Sequence, residues 1–176
     1  MTIEKKINGK VIRLVKDDIT DIDVEAFVYD ITDDAKLGTG YGSAIQARGG
    51  KVVQDELDAI GSCPKGNAII TSAGKMKAKH IIHVNGPKFH EPNQESILRG
   101  SIEAVLKKAN EKKISQLAFP PIGTGFYQVD LGLCTGIMTE IVTKHLQGAT
   151  SLNEVIFVAF DTREFKPFQA KMEQGG

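Results

Sequence analysis

An α/β layered fold with a largely parallel sheet is predicted by three features of the chain. Short apolar and β-branched runs alternate with longer segments whose apolar residues recur at helical spacing. Two glycine-rich turns each follow such a run and lead into a helical segment. No internal repeat and no linker breaks the alternation. At 176 residues the chain is long enough for a substantial core, so one domain is expected over residues 1–176, its core at about 10–172.

The elements follow in order. Residues 3–7 and 11–15 read as short strands around the turn signal Asn8-Gly9. Lys16-Asp17-Asp18-Ile19-Thr20 closes the second with polar residues. Asp18 has two readings: a turn or cap aspartate bonding its own backbone, or an acceptor at the sheet's carboxyl edge for an exocyclic amine such as adenine N6. Residues 26–29 form the next strand and 32–36 a loop. Leu37-Gly38-Thr39-Gly40-Tyr41-Gly42-Ser43-Ala44-Ile45 then passes from glycines into a helix.

A short helix is expected at 52–60, followed by a loop at 61–66 that carries Cys63. Nothing in the sequence lowers the pKa of this cysteine, so it reads as a bland thiol rather than a nucleophile. Residues 68–72 and 80–84 are strands joined through Gly74 and a basic turn. His80 and His83 stand three apart on a strand, so they point to opposite faces and cannot chelate one ion together. No cysteine or carboxylate pair lies at zinc spacing, and no metal or cofactor is expected. Asn93 is an N-cap candidate with Glu95 in the first turn. Ile97, Leu98, Ile102, Val105, Leu106 and Ala109 mark the apolar stripe of the helix that follows.

The stretch QLAFPPIGTGFY, residues 116–127, organises the rest. Leu117-Ala118-Phe119 is a buried strand. Pro121 has no N–H and restricts Pro120 to extended geometry, so pairing ends there. Gly123-Thr124-Gly125 then lets a ligand approach the backbone, and inward N–H groups with the following helix start, from about Val129, suit an anion. This is one half of a phosphate cradle, and the Gly38 to Ser43 loop is the other. The helix carries the stripe Leu133, Ile137, Met138, Ile141, Val142 and Leu146, closed by Gly148. An apolar strand at 155–160 ends at Asp161, and a helix at 163–172 finishes the chain.

Charge balances at 22 basic and 22 acidic residues, so no strong nucleic-acid binding is expected. No signal peptide and no membrane span is visible. The two cysteines, Cys63 and Cys134, read as reduced thiols of a cytoplasmic protein.

These segments together resemble a macro domain, the ADP-ribose-binding α/β module of the Appr-1-p processing family. The resemblance rests on Asp18-Ile19-Thr20, the loop from Leu37 to Ile45, Cys63-Pro64-Lys65-Gly66-Asn67-Ala68, the run Ile81-Ile82-His83-Val84-Asn85-Gly86-Pro87, and Leu117 to Tyr127. It implies a three-layer α/β/α sandwich on a mixed sheet of about six to seven strands, the first antiparallel. It also implies that Asp18 accepts from the adenine amine, that Ile19 lines that pocket, and that Phe160 stacks on the base. Gly38, Thr39, Gly40, Tyr41, Gly42 and Ser43 would face Gly123, Thr124 and Gly125 across the diphosphate, with Phe126 and Tyr127 near the distal ribose.

The chain departs from the family where chemistry would happen. Catalytic members usually carry Val-Asn-Ala-Ala-Asn at the end of the strand read at 26–29, whereas here the residues are Val28-Tyr29-Asp30-Ile31-Thr32. Gly42 stands near a position where hydrolases often place an aspartate. No clear counterpart exists of the lysine–aspartate pair that forms a covalent ribose adduct in some members. The histone-fused macro domain, regarded as a reader, has a similarly relaxed motif. The expectation is a module that binds ADP-ribose or a related nucleotide, free or on an ADP-ribosylated protein, with weak or no hydrolysis. The alternative is an ADP-ribosyl hydrolase, an O-acetyl-ADP-ribose deacetylase or an ADP-ribose 1″-phosphate phosphatase. It would use Asp30, Asp33 or Asp34, or water held by the substrate's phosphates, in place of the asparagine, although solvated loop acids are the simpler reading of all three. A third reading, a macro fold that takes another nucleotide or a protein, stays open because Tyr29 and Tyr41 are bulky and at or near the cleft.

Overall fold

The computed structural model describes residues 2–125 and 127–174, and the statements below concern those residues. β1 (Thr2–Ile7) and β2 (Lys10–Lys16) form an antiparallel hairpin. Its turn residues Asn8 and Gly9 have φ of 55° and 82°, the left-handed pair that a tight hairpin turn requires. A 3-10 turn at Ile19–Asp21 leads into β3 (Ala26–Asp30). Next come α1 (Tyr41–Gly49), α2 (Lys51–Ile60), β4 (Ala68–Ser72), β5 (His80–Val84) and α3 (Gln94–Glu111). β6 (Gln116–Phe119), α4 (Leu131–Gln147), β7 (Glu154–Ala159) and α5 (Thr162–Gln174) complete the chain.

The seven described strands form one sheet in the order β1-β2-β7-β6-β3-β5-β4. β2, β7, β6, β3 and β5 run parallel to their neighbours in turn, and β4 is antiparallel to β5. The sheet is thus largely parallel, as the alternation predicts, and mixed, as the resemblance to macro domains implies. Buried residues divide by strand parity between two cores. Ala26 and Val28, Leu117 and Phe119, and Val155 and Phe157 face α3, α4 and α5. Phe27 and Tyr29, Ala118, Ile156 and Val158 face α1 and α2. Strands covered on both faces are nearly continuous apolar runs, as all-parallel pairing demands.

Three details differ from the sequence expectation. α4 begins at Leu131, not Val129, because the Val129 N–H donates to Gly123 O at 3.0 Å and closes the loop instead. Asp130 then caps the helix, its carboxylate accepting from Leu133 N at 2.9 Å. β7 stops at Ala159, because the Phe160 N–H turns away to Glu164 Oε1 at 2.8 Å. Asn93 does precede α3, but at φ 62° and with no side-chain cap bond. The first helical bond runs instead from Ile97 N to its carbonyl. No described helix is long and apolar enough to cross a membrane.

Candidate functional site: a cleft between two glycine loops

Parallel strands leave their carboxyl ends on one edge, and the loops leaving β3 and β6 meet there. They enclose a cleft of ≈ 350 Å³. Gly38, Thr39, Gly40 and Tyr41 line one side, and Pro120, Pro121 and Gly123 to Gly125 the other. Ile19 and Glu164 close one end, while Asp30, Thr32 and Tyr127 stand toward the loop that leaves β3. A volume in the low hundreds of cubic ångströms suits a small-molecule ligand.

Both loops present unspent backbone donors. The amides of Thr39, Gly40, Gly123 and Gly125 meet no acceptor among the described residues. Gly123 has φ 77°, and a Cβ there would lie 2.8 Å from Val129 Cγ2, so the turn needs glycine on two counts. Tyr29 supports the first loop from below. It is 9% exposed, its hydroxyl accepts from Gly38 N at 3.2 Å, and burial raises its pKa. A Cβ on Gly42 would sit 2.6 Å from that hydroxyl. Tyr29 therefore does both: it lines the cleft and packs in the core on the α1 and α2 face.

Asp30, which lines the cleft, is ion-paired to Lys88, which lines the neighbouring depression. Asp30 Oδ1 accepts from Lys88 Nζ at 2.6 Å and from Gly86 N at 3.1 Å. Lys88 Nζ also donates to Ile31 O at 2.9 Å and lies 4.5 Å from the Tyr127 ring centroid. Burial pushes the Asp30 carboxyl up, while Lys88 and the Gly86 amide pull the other way. Asp30 Oδ2 is buried and has no partner among the described residues. At the opposite end, burial together with Glu164, Asp18 and Asp161 pushes the Tyr41 phenol up to about 12.

The profile of the Macro domain family matches residues 32–138, which is more than half of the chain. The chain belongs to the macro domain family. Among relatives, a macro domain-containing protein of Caldanaerobacter subterraneus subsp. tengcongensis is 35% identical over 93% of this chain and 96% of its own. One from Listeria monocytogenes is 36% identical over 88% of this chain and 93% of its own. Among solved structures, a variant of the Oceanobacillus iheyensis macrodomain with ADP-ribose superposes with TM-score 0.91 at 26% identity. That match covers 99% of this chain and 98% of the other. A Trypanosoma brucei macrodomain in complex with ADP-ribose gives 0.84 at 23% identity, covering 94% and 69%, a likeness of fold alone.

This macro domain gathers Ile19, Asp30, Gly38, Thr39, Gly40, Tyr41, Gly123, Thr124, Gly125 and Tyr127 on one cleft. Other residues singled out in the sequence lie around it. Asp18 stands behind the 3-10 turn, where Oδ1 accepts from Thr20 N at 2.9 Å and from Thr20 Oγ1 at 2.7 Å. Its Oδ2 lies 3.4 Å from Arg48 Nη2. The capping reading of Asp18 thus holds in the folded chain. Gly42 and Ser43 start α1 beneath the loop, and Phe160 is 60% exposed at the end of β7. Phe126 lies outside the described residues.

Asp33 and Asp34 face a neighbouring shallow depression shared with Lys65, Lys88 and Glu91. Asp33 Oδ1 accepts from Asn85 Nδ2, and Asp34 Oδ1 from Thr32 Oγ1 at 2.6 Å. Of the three acids only Asp30 lines the cleft. Cys63 is buried, and its thiol donates to Asn67 O at 3.3 Å. Burial raises its pKa, the behaviour of a packing thiol. His80 is exposed and His83 fully buried, on opposite faces of β5. No cluster able to hold a metal occurs among the described residues.

Sequence reasoning missed Lys88 and Glu164. Lys88 follows Gly86-Pro87 as one more loop lysine, and Glu164 reads as a first-turn helix acid. Neither carries a local signal for its place, which depends on which elements the sheet brings together.

Proposed function

We propose that this macro domain binds ADP-ribose, free or carried by an ADP-ribosylated protein, and hydrolyses it weakly or not at all. One observation carries the reading: two glycine loops whose amides meet no acceptor among the described residues line one cleft at the carboxyl edge of the sheet. Such an arrangement suits two linked phosphates approached from both sides. The ADP-ribose named for the Oceanobacillus iheyensis structure supports the choice of ligand. In this reading the adenine lies toward Ile19, Tyr41 and Glu164, with Asp18 taking its amine and Phe160 stacking on it. The distal ribose lies toward Asp30 and Tyr127, and the whole chain, 1–176, acts as one module.

Isothermal titration with ADP-ribose tests this, with Gly125→Glu as the control. A Cβ on Gly125 meets nothing within 4 Å, and its φ is not positive, so the variant keeps its fold. The added carboxylate stands beside the phosphates and repels them. Expected are micromolar affinity in the wild type, about 8 kcal/mol, and at least tenfold weaker binding in the variant. Absence of binding by the wild type would end the proposal.

One observation favours a second reading, hydrolysis of protein-linked or acetylated ADP-ribose. Burial shifts Asp30 in the direction that suits a general base. In this case a mono-ADP-ribosylated protein is turned over by the wild type and not by Asp30→Asn. Equal turnover by both proteins would remove Asp30 from the chemistry.

A further inference from the structure

The strap that leads into the first glycine loop, Ala35 to Leu37, lies outside helix and strand, yet side chains of three elements fix its backbone and its exit. Ala35 and Leu37 are buried, while Lys36 between them is exposed and lines the cleft. Ala35 takes φ 56°, a left-handed value that a residue with a Cβ adopts only where its surroundings impose it. Gln46 of α1 donates from Nε2 to Leu37 O at 3.3 Å, and Tyr29 of β3 accepts from Gly38 N. The next two amides, of Thr39 and Gly40, meet no acceptor among the described residues.

The third element is α2, whose Gln54 grips the strap with both ends of its amide. Oε1 accepts from Leu37 N at 2.9 Å, and Nε2 donates to Ala35 O at 3.1 Å. Nε2 gives its second proton to Asp58 Oδ1 at 2.8 Å. The three partners settle which way the amide faces, since one is a donor and two are acceptors. Glutamate has no proton to give at neutral pH, and lysine and arginine have no acceptor, so a neutral amide of this length is what the strap requires. Asp58 Oδ1 also accepts from Lys36 Nζ at 2.6 Å, so the lysine at the cleft is tied to the same helix. All of these bonds converge just before the two unspent amides.

We infer that Gln54 is a positioning residue for ligand binding: by holding the strap Ala35–Leu37 it fixes the place of the Thr39 and Gly40 amides before a ligand arrives. The inference rests on the nucleotide-binding reading above. Gln54 is not among the residues that line the cleft, so it acts through the loop backbone and not by contact. Donors fixed in advance spare the ligand the cost of ordering the loop. A strap without ladder bonds, carrying a left-handed alanine, would otherwise sample several backbone arrangements.

Isothermal titration of the whole protein with ADP-ribose, paired with urea unfolding, tests it in three variants. Gln54→Met keeps the length of the side chain and loses both bonds to the strap. Gln54→Glu keeps an acceptor for Leu37 N but sets a carboxylate against Ala35 O and Asp58. Asp55→Asn is the control: it breaks an exposed pair with Lys51 one residue along the same helix, and Asp55 does not line the cleft. With every protein folded, affinity should fall about fivefold in Gln54→Met and about tenfold or more in Gln54→Glu. Asp55→Asn should match the wild type. A residue that only stabilised the fold would lower the unfolding free energy and leave the affinity of the folded protein in place.

Folded Gln54 variants that bind as tightly as the wild type overturn the inference and leave the nucleotide reading standing. So does an equal loss in Asp55→Asn, which would make the loop sensitive to any change in α2. If one Gln54 variant does not fold, the other decides. If neither folds, Gln54 is structural and the inference is lost. A wild type that does not bind ADP-ribose ends both readings together.

Discussion

Tyr29 and Gly42 are a matched pair, although neither position announces the other. The phenol occupies space beneath the first loop and takes the Gly38 N–H. Its hydroxyl stands 2.6 Å from where a Gly42 Cβ would be, closer than real carbon contacts allow. The ring cannot swing aside, since it is buried and packs edge-on against His83 at 5.9 Å between centroids. Gly42→Ala is therefore an overpacking change and should cost about 1–3 kcal/mol of stability. Tyr29→Phe should cost about 1 kcal/mol by freeing the Gly38 amide. The double variant should be more stable than the sum of the two losses predicts, because the clashing oxygen is gone. Urea unfolding of the four proteins measures the coupling, and simple additivity would show that the contact does not operate. Asp18 calls for similar care as a probe of ligand binding. Its side chain caps the 3-10 turn, so Asp18→Ala would disturb the backbone that presents Ile19 as well as any adenine contact.

At the scale of elements, the β4–β5 pair carries a titrating group that the site does not use. His83 is fully buried on β5, and its Nε2 lies 2.9 Å from Thr71 Oγ1 on β4. The Thr71 hydroxyl donates to Ser72 O at 2.8 Å, so Nε2–H is the donor to it and Nδ1 is left bare. Protonating Nδ1 would place an unpartnered charge in the core, and burial accordingly pushes the His83 pKa down to about 3. Between that value and the unfolded value near 6.5, the unfolded chain binds a proton that the folded chain does not. Stability conferred by the neutral ring is thus complete above about pH 6.5 and is lost as pH falls toward 3, at roughly 1.4 kcal/mol per pH unit. His83→Leu should flatten the fall in unfolding free energy between pH 6.5 and 4.5. Parallel slopes in the two proteins would place the proton elsewhere. Helix starts show the same local economy. Asp130 caps α4 just past the second loop, so the segment from Gly123 to Val129 is pinned at both ends.

Over the whole molecule, the sheet order explains why the cleft lies where it does. β3 sits between β6 and β5 with β7 one strand away, so the loops leaving β3 and β6 and the end of β7 converge on one edge. Two cores, one per face, hold that edge rigid while the loops stay free of sheet pairing. Both glycine loops, the strand–helix alternation and the helical stripes were legible in the chain, because period and turn chemistry are local properties. Element ends were less so: β7 stops one residue early through a bond to Glu164, and α4 starts late through a bond to Gly123. The segments shared with macro domains carried the family, and the changed Val28 to Thr32 run marked where the chain departs from it.

What the sequence determined by itself was the set of elements, their order and the two loops able to face a diphosphate. What only the tertiary structure decided was which charged side chains meet around the cleft. Lys88 reaches Asp30 across 58 positions of chain, and Glu164 enters from a helix that follows the last strand. The same structure moves Asp33 and Asp34 to a neighbouring depression, though they follow Asp30 by only a few residues. Local patterns record how each residue sits in its own element, whereas contacts between side chains distant in sequence exist only once the sheet has set which loops share an edge.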